Sequence, residues 1–285
     1  MRICRFDSDR VGIVRDDKVY DVTEVTSLLP NLRWPVPRGD QFISNLGKLR
    51  PEMEKLAAKA RPIPLSDVKL LSPIANPGKI IGAPINYNDH IAEAKSDQTI
   101  AHGRELKTIG ETGMLLKATS SLVGASEGVA QRFVDRRNDH EVELALVIGK
   151  QGTNIPKARA FEYIAGYAIG LDMTVRGPEL ACFRKSIDTY SVLGPWMVTA
   201  DEIPDPSNLA LKLSVNGQVK QNSNTRYLVF DVPRLIEFTT SFYSIYPGDV
   251  IMTGTPAGVS PIKPGDVMDV EIERVGRMQV RIRAA

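Results

Sequence analysis

The sequence places two glutamates, Glu141 and Glu143, at the start of an apolar run that continues to Gly149. Because side chains alternate along a strand, both carboxylates face the same side of it, about 7 Å apart. The apolar residues that follow predict a well-buried strand. Like charges that are buried together need a cation or a proton. A solvated sheet face is the alternative interpretation of this pair.

A third carboxylate, Asp172, ends a second apolar run over residues 164–171, where it can meet the glutamate pair. Three carboxylates without a cysteine favour a hard divalent ion with oxygen ligands, such as Mg²⁺, Mn²⁺ or Ca²⁺, over Zn²⁺. The histidines share no metal-ligand spacing; they are His90, His102 and His140. The sequence therefore favours an oxygen-ligand metal site at the three carboxylates.

A short helix is predicted to begin at Asn88 or Asp89, either of which can cap it. This helix brings His90 and Glu93 onto one face at i, i+3 spacing. Contact with a carboxylate raises the basicity of an imidazole, so the pair can activate a water molecule. An ordinary charged pair on a surface helix is the alternative. The polar, glycine-containing stretch 95–113 that follows is expected to become ordered over bound substrate.

Basic side chains near these elements are candidate substrate contacts. Arg176 lies four residues after the third carboxylate, and Lys185 and Lys117 are close in sequence to the same elements. Near a metal ion they can bind a substrate carboxylate or stabilise an oxyanion; surface solubility is the alternative. Thr255 belongs to a glycine-containing segment, 253–258, whose N–H groups and hydroxyls can hold an anion. On its own this segment is only a turn.

The first seventy residues are expected to form a small unit with short strands, at 3–6, 11–14 and 19–22. A helix is predicted from about residue 51 to 60, followed by a linker at Arg61-Pro62-Ile63-Pro64, where two prolines bar its continuation. We therefore divide the chain into a small β-rich N-terminal domain, residues 1–70, and a catalytic domain, residues 71–285.

The rest of the chain is predicted to be mostly β with a few helices. Asn216-Gly217 suits a type I′ turn between strands at 211–215 and 219–221. Asp231 can cap a helix that runs to about residue 244. The predicted fold class is α+β, mostly β.

Length, composition and charge limit the classes of protein that remain. The 285 residues suit one large domain or a large and a small one. A net charge of +2 lacks the basic excess of a nucleic-acid-binding protein. No apolar run approaches the roughly 18 residues of a membrane span, and Cys4 and Cys182 cannot form a disulfide framework. We expect a soluble cytoplasmic protein without nucleic-acid or membrane partners.

In combination, these motifs resemble the fumarylacetoacetate hydrolase family over most of residues 70–285. Six motifs occur in the family's order: Asn86-Tyr87 with His90-x-x-Glu93, Glu141-Val142-Glu143, Asp172-Met173-Thr174-Val175-Arg176, Lys185 with Asp188, Gly194-Pro195-Trp196, and Pro247-Gly248-Asp249-Val250 with Thr253-Gly254-Thr255-Pro256. Their common order is more specific than any one of them.

The resemblance implies a role for each candidate residue. Mg²⁺ or a similar ion would be held by Glu141, Glu143 and Asp172. The catalytic residues would be His90 and Glu93, as a water-activating dyad on a lid, and Lys185. The substrate contacts would be Tyr87, Lys117, Arg176 and Thr255. The family's fold is a mixed, mostly antiparallel β-roll or sandwich, with a small N-terminal domain in longer members and usually a homodimeric assembly.

The function expected from this resemblance is metal-dependent hydrolysis of a carbon–carbon bond in an acylpyruvate or another β-diketo acid, in aromatic or carboxylic acid catabolism. The partner would be a small 2-oxo acid. An isomerase, decarboxylase or hydratase of 2-oxo or 2-hydroxy-dienoic acids is the first alternative, since these reactions use the same metal-stabilised enolate. A non-catalytic β scaffold with a structural Ca²⁺ is the second.

Overall fold

Strands make up most of the regular structure of the chain, which a computed structural model describes over residues 1–103 and 105–285. The strands, in chain order, are β1 (Arg2–Phe6), β2 (Arg10–Arg15), β3 (Lys18–Asp21), β4 (Pro62–Pro64), β5 (Leu70–Leu71), β6 (Ile80–Gly82), β7 (Leu115–Lys117), β8 (Leu122–Val123), β9 (Val129–Gln131), β10 (Asn138–Asp139), β11 (Val142–Ile148), β12 (Ile164–Asp172), β13 (Thr174–Val175), β14 (Ser191–Thr199), β15 (Ala210–Val215), β16 (Gln218–Asn224), β17 (Val250–Met252), β18 (Val267–Ile272) and β19 (Gly276–Ala284). The helices are α1 (Gln41–Lys59), α2 (Asn88–Ser96), α3 (Gln98–Ala101), α4 (Ile109–Thr112), α5 (Ala181–Lys185) and α6 (Val232–Phe242). In the described part of the chain, every helix is too short or too polar to cross a lipid bilayer.

A mixed twelve-stranded sheet forms the centre of the molecule, in the order β4-β3-β2-β1-β14-β12-β11-β17-β6-β7, with β5 paired to β1 and β8 to β14. Strands β11 and β14 are buried along their whole length. Both carry near-continuous apolar runs, as expected for strands covered on both faces. The prediction of a mixed, mostly β fold is confirmed.

The three predicted N-terminal strands are present as β1, β2 and β3. β1 also pairs antiparallel with β14, with Ile3 opposite Met197, so one sheet continues across residue 70. The division of the chain into domains 1–70 and 71–285 stays a prediction about independent folding.

Two predictions for the segment before residue 70 were wrong in detail. The helix begins ten residues earlier than expected, because Asp40 caps it by accepting a hydrogen bond from the Ile43 N–H at 3.0 Å. Pro51 lies inside this helix, whose apolar face buries Leu49 and Met53 on either side of it; this packing outweighs the one missing backbone hydrogen bond. The predicted linker over residues 61–64 contains β4, which pairs with β3 as an edge strand, where proline is tolerated.

A second sheet, in the order β16-β15-β18-β19-β9, packs against the central one, with β19, β15 and β18 in contact with β14, β11 and β12. The predicted hairpin is confirmed, because Asn216 and Gly217 both have positive φ, 49° and 80°, between β15 and β16. The predicted cap of α6 is also confirmed: the Asp231 side chain accepts a hydrogen bond from the Arg234 N–H at 2.8 Å.

The candidate residues converge because β11 and β12 are antiparallel neighbours. Val142, at the start of β11, lies opposite Leu171, near the end of β12. β17 pairs with the other edge of β11 and leads directly into the segment 253–258. Helices α2 and α5 follow β6 and β13 in the chain and complete the same end of the sheet.

Candidate active site

Three buried carboxylates meet where β11 begins and β12 ends. One oxygen from each of Glu141, Glu143 and Asp172 lies within 4.8 Å of the others, and each residue is at most 4% exposed. The backbone fixes this arrangement, because the Asp172 N–H donates to the carbonyl oxygen of Glu141 at 3.0 Å. The predicted proximity of the three side chains is therefore present, and a solvated sheet face is excluded for the glutamate pair.

The Lys185 ammonium bridges two of these carboxylates. Its Nζ lies 2.6 Å from Glu141 Oε2 and 2.7 Å from Asp172 Oδ2, and it also donates to Thr174 Oγ1 at 2.7 Å. Burial opposes the charge of Lys185, but the negative charges of Asp172 and Glu141 raise its pKa above the ordinary lysine value. Lys185 is thus a fixed positive charge at the centre of the site.

The Arg176 guanidinium binds a second side of the cluster. It donates from Nε to Asp139 Oδ2 at 2.8 Å and from Nη2 to Glu141 Oε1 at 2.9 Å. Burial disfavours the Glu141 carboxylate, but Lys185 and Arg176 outweigh burial and lower the pKa of Glu141 to about 2. Glu141 is therefore ionised throughout the physiological pH range.

Glu143 differs from its two neighbours in its partners. It accepts a hydrogen bond from the Gly254 N–H at 2.6 Å, but no lysine, arginine or histidine of the described residues lies within ion-pair distance of it. Burial and the negative charge of Asp172 raise the pKa of Glu143 well above the ordinary glutamate value. A buried carboxylate without a cation, beside two further carboxylates, fits a divalent ion with oxygen ligands.

Lys117 lies behind the cluster and outside the cavity. Its fully buried ammonium binds Asp172 and donates to the carbonyl oxygen of Tyr190 at 2.9 Å. Burial lowers the pKa of Lys117, and the negative charge of Asp172 opposes this effect. This placement suits a residue that orients Asp172, whereas the substrate contact expected from the resemblance requires access to the cavity.

His90 and Glu93 form the expected contact. Nδ1 of His90 lies 2.8 Å from Glu93 Oε2. Because a carboxylate only accepts, this contact selects the tautomer of the neutral imidazole in which Nδ1 carries the proton and Nε2 the lone pair. The second oxygen, Oε1, accepts from the Gly258 N–H at 2.8 Å. His90 is only 6% exposed, so the pair is not an ordinary surface pair. The predicted cap was wrong: Tyr87 holds the N-cap position of α2 and makes no side-chain capping bond.

Thr255 and Tyr87 have less direct access to ligands than the resemblance implies. The Thr255 hydroxyl lines the cavity, but it donates to the carbonyl oxygen of Val142 at 2.9 Å and accepts from Gln221 Nε2 at 2.7 Å. The Tyr87 hydroxyl is buried without a hydrogen-bond partner among the described residues. Burial and the charge of Glu143 raise the pKa of Tyr87. Lys117 and Tyr87 are not among the described residues that line the cavity.

One cavity of about 290 Å³ joins the carboxylates to the dyad. Its lining includes the three carboxylates, both basic side chains that bind them, Arg176 and Lys185, and His90. Described residues of the predicted lid, the stretch 95–113, also line the cavity from α3, from α4 and from the segment between them. Arg104, within this stretch, lies outside the described residues. The volume suits a small organic acid.

Among the described residues, the side chains at the site that were not predicted from the sequence include Asp139, Thr174, Arg184 and Gln221. Thr174 continues the alternation of β12 two residues beyond its last carboxylate, and Arg184 directly precedes the lysine of α5, so both had a local signal. Asp139 likewise lies two residues before the glutamate pair. Gln221 had no such signal, because it comes from the other sheet.

Comparisons with known proteins agree with this geometry. Residues 79–283 match the family model described as fumarylacetoacetate (FAA) hydrolase C-terminal. A maleylpyruvate hydrolase of Aquipseudomonas alcaligenes is 54% identical over 286 residues, which covers 100% of both chains. The crystal structure of maleylpyruvate hydrolase from Sphingobium sp. SYK-6, in complex with manganese(II) ion and pyruvate, is 37% identical with a TM-score of 0.84, again over 100% of both chains. The structure of a 5-carboxymethyl-2-hydroxymuconate delta-isomerase from Mycobacterium smegmatis is 30% identical with a TM-score of 0.72 over 100% of both chains.

The different partners of the two glutamates predict opposite effects on the metal-free protein. Glu143→Gln replaces a buried carboxyl group that has no cation with a neutral amide, so the melting temperature without metal should stay constant or rise. Glu141→Gln leaves Lys185 and Arg176 without their shared partner and should lower that temperature. Both variants should lose the stabilisation by Mn²⁺, which reaches about 2.7 kcal/mol in the native protein at a hundredfold excess over Kd. Wild-type Mn²⁺ affinity of Glu143→Gln in calorimetry would remove Glu143 from the metal centre.

Proposed function

Because the chain belongs to the fumarylacetoacetate hydrolase family, we propose that it is a metal-dependent hydrolase that cleaves a carbon–carbon bond of an acylpyruvate. The observation that carries this proposal is the single cavity shared by the carboxylate cluster and His90. Its proposed substrate is maleylpyruvate, since two full-length relatives are maleylpyruvate hydrolases.

The reaction consumes one water molecule. Its oxygen bonds to the acyl carbon of the substrate, the bond between that carbon and the pyruvate methylene breaks, and the methylene gains a proton to give pyruvate and maleate. A divalent ion held by Glu141, Glu143 and Asp172 would supply a Lewis acid for the 2-oxo acid end of the substrate. The steps that remain for the protein are to remove a proton from water and to return one to carbon.

The dyad has the geometry for the first of these steps. Glu93 fixes the tautomer of His90, so that the lone pair of Nε2 is available to accept a proton from water. The Gly258 N–H donates to Oε1 of Glu93, the oxygen that does not contact His90, and so fixes the carboxylate in place. The resulting imidazolium is then stabilised by the adjacent carboxylate and can return the proton to the departing carbon.

Lys185 is proposed to stabilise the oxyanion that forms on the acyl carbon. Its ammonium lines the cavity, and Glu141, Asp172 and Thr174 hold it in one orientation. A charge that is fixed before the reaction costs no reorganisation during it.

A second carboxylate on the substrate needs a cation away from the metal. Arg184 and Lys107 line the cavity together with apolar residues of the lid. Arg184 is 7% exposed, and its Nε donates to the carbonyl oxygen of Glu179 at 2.9 Å, which orients the guanidinium. Arginine suits this role, because its guanidinium is always charged and carries five N–H donors, so it can bind a carboxylate while other donors hold it in place.

Metal identity, assembly and location belong to the same proposal. Oxygen ligands suit Mg²⁺ and Mn²⁺ alike, and the relative from Sphingobium was solved with manganese. We propose Mg²⁺ or Mn²⁺ as the ion, a homodimer as the assembly and the cytoplasm as the location. Family resemblance supports the dimer, and the lack of a disulfide framework supports the location.

An isomerase acting on a related muconate is the second candidate, because an isomerase is 30% identical over the whole chain. Isomerisation needs proton transfer but no activated water. Product analysis by NMR on maleylpyruvate and on a hydroxymuconate substrate separates the two functions, since only hydrolysis yields pyruvate.

Metal removal gives the first test of the proposed function. EDTA-treated protein should release pyruvate from maleylpyruvate at a small fraction of the native rate, because the charge of the leaving carbanion is no longer stabilised. Addition of Mn²⁺ or Mg²⁺ should restore the rate. Pyruvate release at the native rate in EDTA would contradict the proposal that the reaction depends on a metal ion.

The dyad gives the second test. His90→Ala should lower kcat by about 10² to 10⁴ and leave Mn²⁺ affinity intact. Glu93→Gln should be nearly as inactive: the Gly258 N–H retains the amide oxygen, so the amide N–H₂ faces Nδ1 and moves the imidazole proton to Nε2.

Asp89→Asn, a charge removal on the exposed side of α2, is the matched control and should keep the native rate. Native kcat in either dyad variant would show that the helix has no part in water activation.

Arg184 gives the third test. Arg184→Gln should lower kcat/KM for maleylpyruvate by about tenfold or more, the usual worth of a hydrogen-bonded charge, and leave acetylpyruvate, which has no distal carboxylate, nearly unchanged. Equal losses on both substrates would contradict the proposed role in selectivity.

A further inference from the structure

Gln221 is a fully buried amide on β16, outside the sheet that carries the candidate catalytic residues. Its Oε1 accepts from the Val142 N–H at 3.1 Å and contacts His140 Nδ1 at 3.1 Å. Its Nε2 donates to Thr255 Oγ1 at 2.7 Å and to the carbonyl oxygen of Pro256 at 2.8 Å. The orientation of the amide is unambiguous, because the Val142 N–H can only donate and the Pro256 carbonyl can only accept.

The amide completes the hydrogen bonding of the residue between the two glutamates. β17 pairs with β11 at Ala145–Val147, and the Thr253 N–H extends this pairing by donating to the carbonyl oxygen of Leu144 at 3.0 Å. Among the described residues, no further backbone hydrogen bond joins the two segments at Glu143 or Val142. At Val142, Gln221 binds the N–H and Thr255 binds the carbonyl oxygen at 2.9 Å. Two side chains therefore replace the missing neighbouring strand and hold the backbone from which both carboxylates project.

The same amide anchors the segment 253–258 that serves both halves of the site. Within this segment, the Gly254 N–H donates to Glu143 and the Gly258 N–H donates to Glu93. The segment passes close to β16: a Cβ on Gly258, whose φ is +100°, would lie 2.0 Å from the carbonyl oxygen of Lys220. Gln221 ties the middle of the segment, at Thr255 and Pro256, to that strand.

We infer that Gln221 is a positioning residue that fixes the carboxylate cluster and the water-activating dyad in their positions relative to each other. It contacts neither the proposed ligand oxygens nor His90 directly. It acts through Val142 on Glu141 and Glu143, and through the segment 253–258 on Glu143 and Glu93. Loss of this one amide should therefore weaken metal binding and water activation together.

The test compares Gln221→Leu with Gln131→Leu. Both glutamines are buried, at 0% and 2% exposure, and Gln131 lies on β9, where its Oε1 has no hydrogen-bond partner among the described residues. Gln221→Leu should weaken Mn²⁺ binding in calorimetry by about 10- to 100-fold and lower kcat by a similar factor. In the metal-free protein, hydrogen exchange at the Gly254 and Gly258 amides should also accelerate. Gln131→Leu should leave all three quantities within about twofold of native.

Thr255→Val, which keeps the side-chain shape, provides the second variant. It should weaken Mn²⁺ binding through the same network, and the double variant with Gln221→Leu should lose no more than the more damaged single variant. Additive losses would overturn the shared network. If Gln221→Leu does not fold, the Mn²⁺ affinity and the amide hydrogen exchange of Thr255→Val provide the test of the inference. Native Mn²⁺ affinity and native amide exchange in Thr255→Val, or in folded Gln221→Leu protein, would overturn the inference.

Discussion

Buried negative charge must be compensated at the active site, and the surrounding residues are arranged accordingly. Glu141, Glu143, Asp172 and Asp139 lie together beneath a small cavity with almost no access to water. An uncompensated buried carboxylate is strongly destabilising, and four in one place repel one another as well. Three buried cations compensate part of this charge: Lys117, Arg176 and Lys185. No two of them bind the same carboxylate oxygen.

The cations pair with some of the carboxylates and not with others, and this difference explains where a metal ion can bind. Arg176 and Lys185 hold Glu141, and Lys117 and Lys185 hold Asp172, so both carboxylates are fixed in position. Among the described residues, Glu143 receives only a backbone N–H, so the cluster is prepared for one further positive charge. The same segment that supplies this N–H also holds Glu93. A substrate bound at the cluster would therefore lie against a histidine whose free nitrogen is already fixed by its neighbours.

The sequence predicted the parts of the site that follow from local periodicity. Alternation along a strand placed Glu141 and Glu143 together, an apolar run ending in Asp172 indicated the third carboxylate, and helical spacing predicted the contact of His90 with Glu93. The burial of Lys117 behind Asp172 depends on the pairing of β7 with β6 and could not be predicted locally. Gln221 is likewise visible only in three dimensions, since it is 79 residues from Val142. The early start of α1 required recognising that packing would tolerate Pro51.

Diffraction at the manganese absorption edge, from crystals grown with Mn²⁺ and pyruvate, will show whether the three carboxylates hold a metal ion and His90 stays apart from it. We expect one anomalous peak with an oxygen of each of Glu141, Glu143 and Asp172 within about 2.5 Å, with pyruvate in the cavity between that peak and His90. A peak bound by His90, or no peak at the three carboxylates, would contradict the assignment of a metal centre facing a separate water-activating dyad.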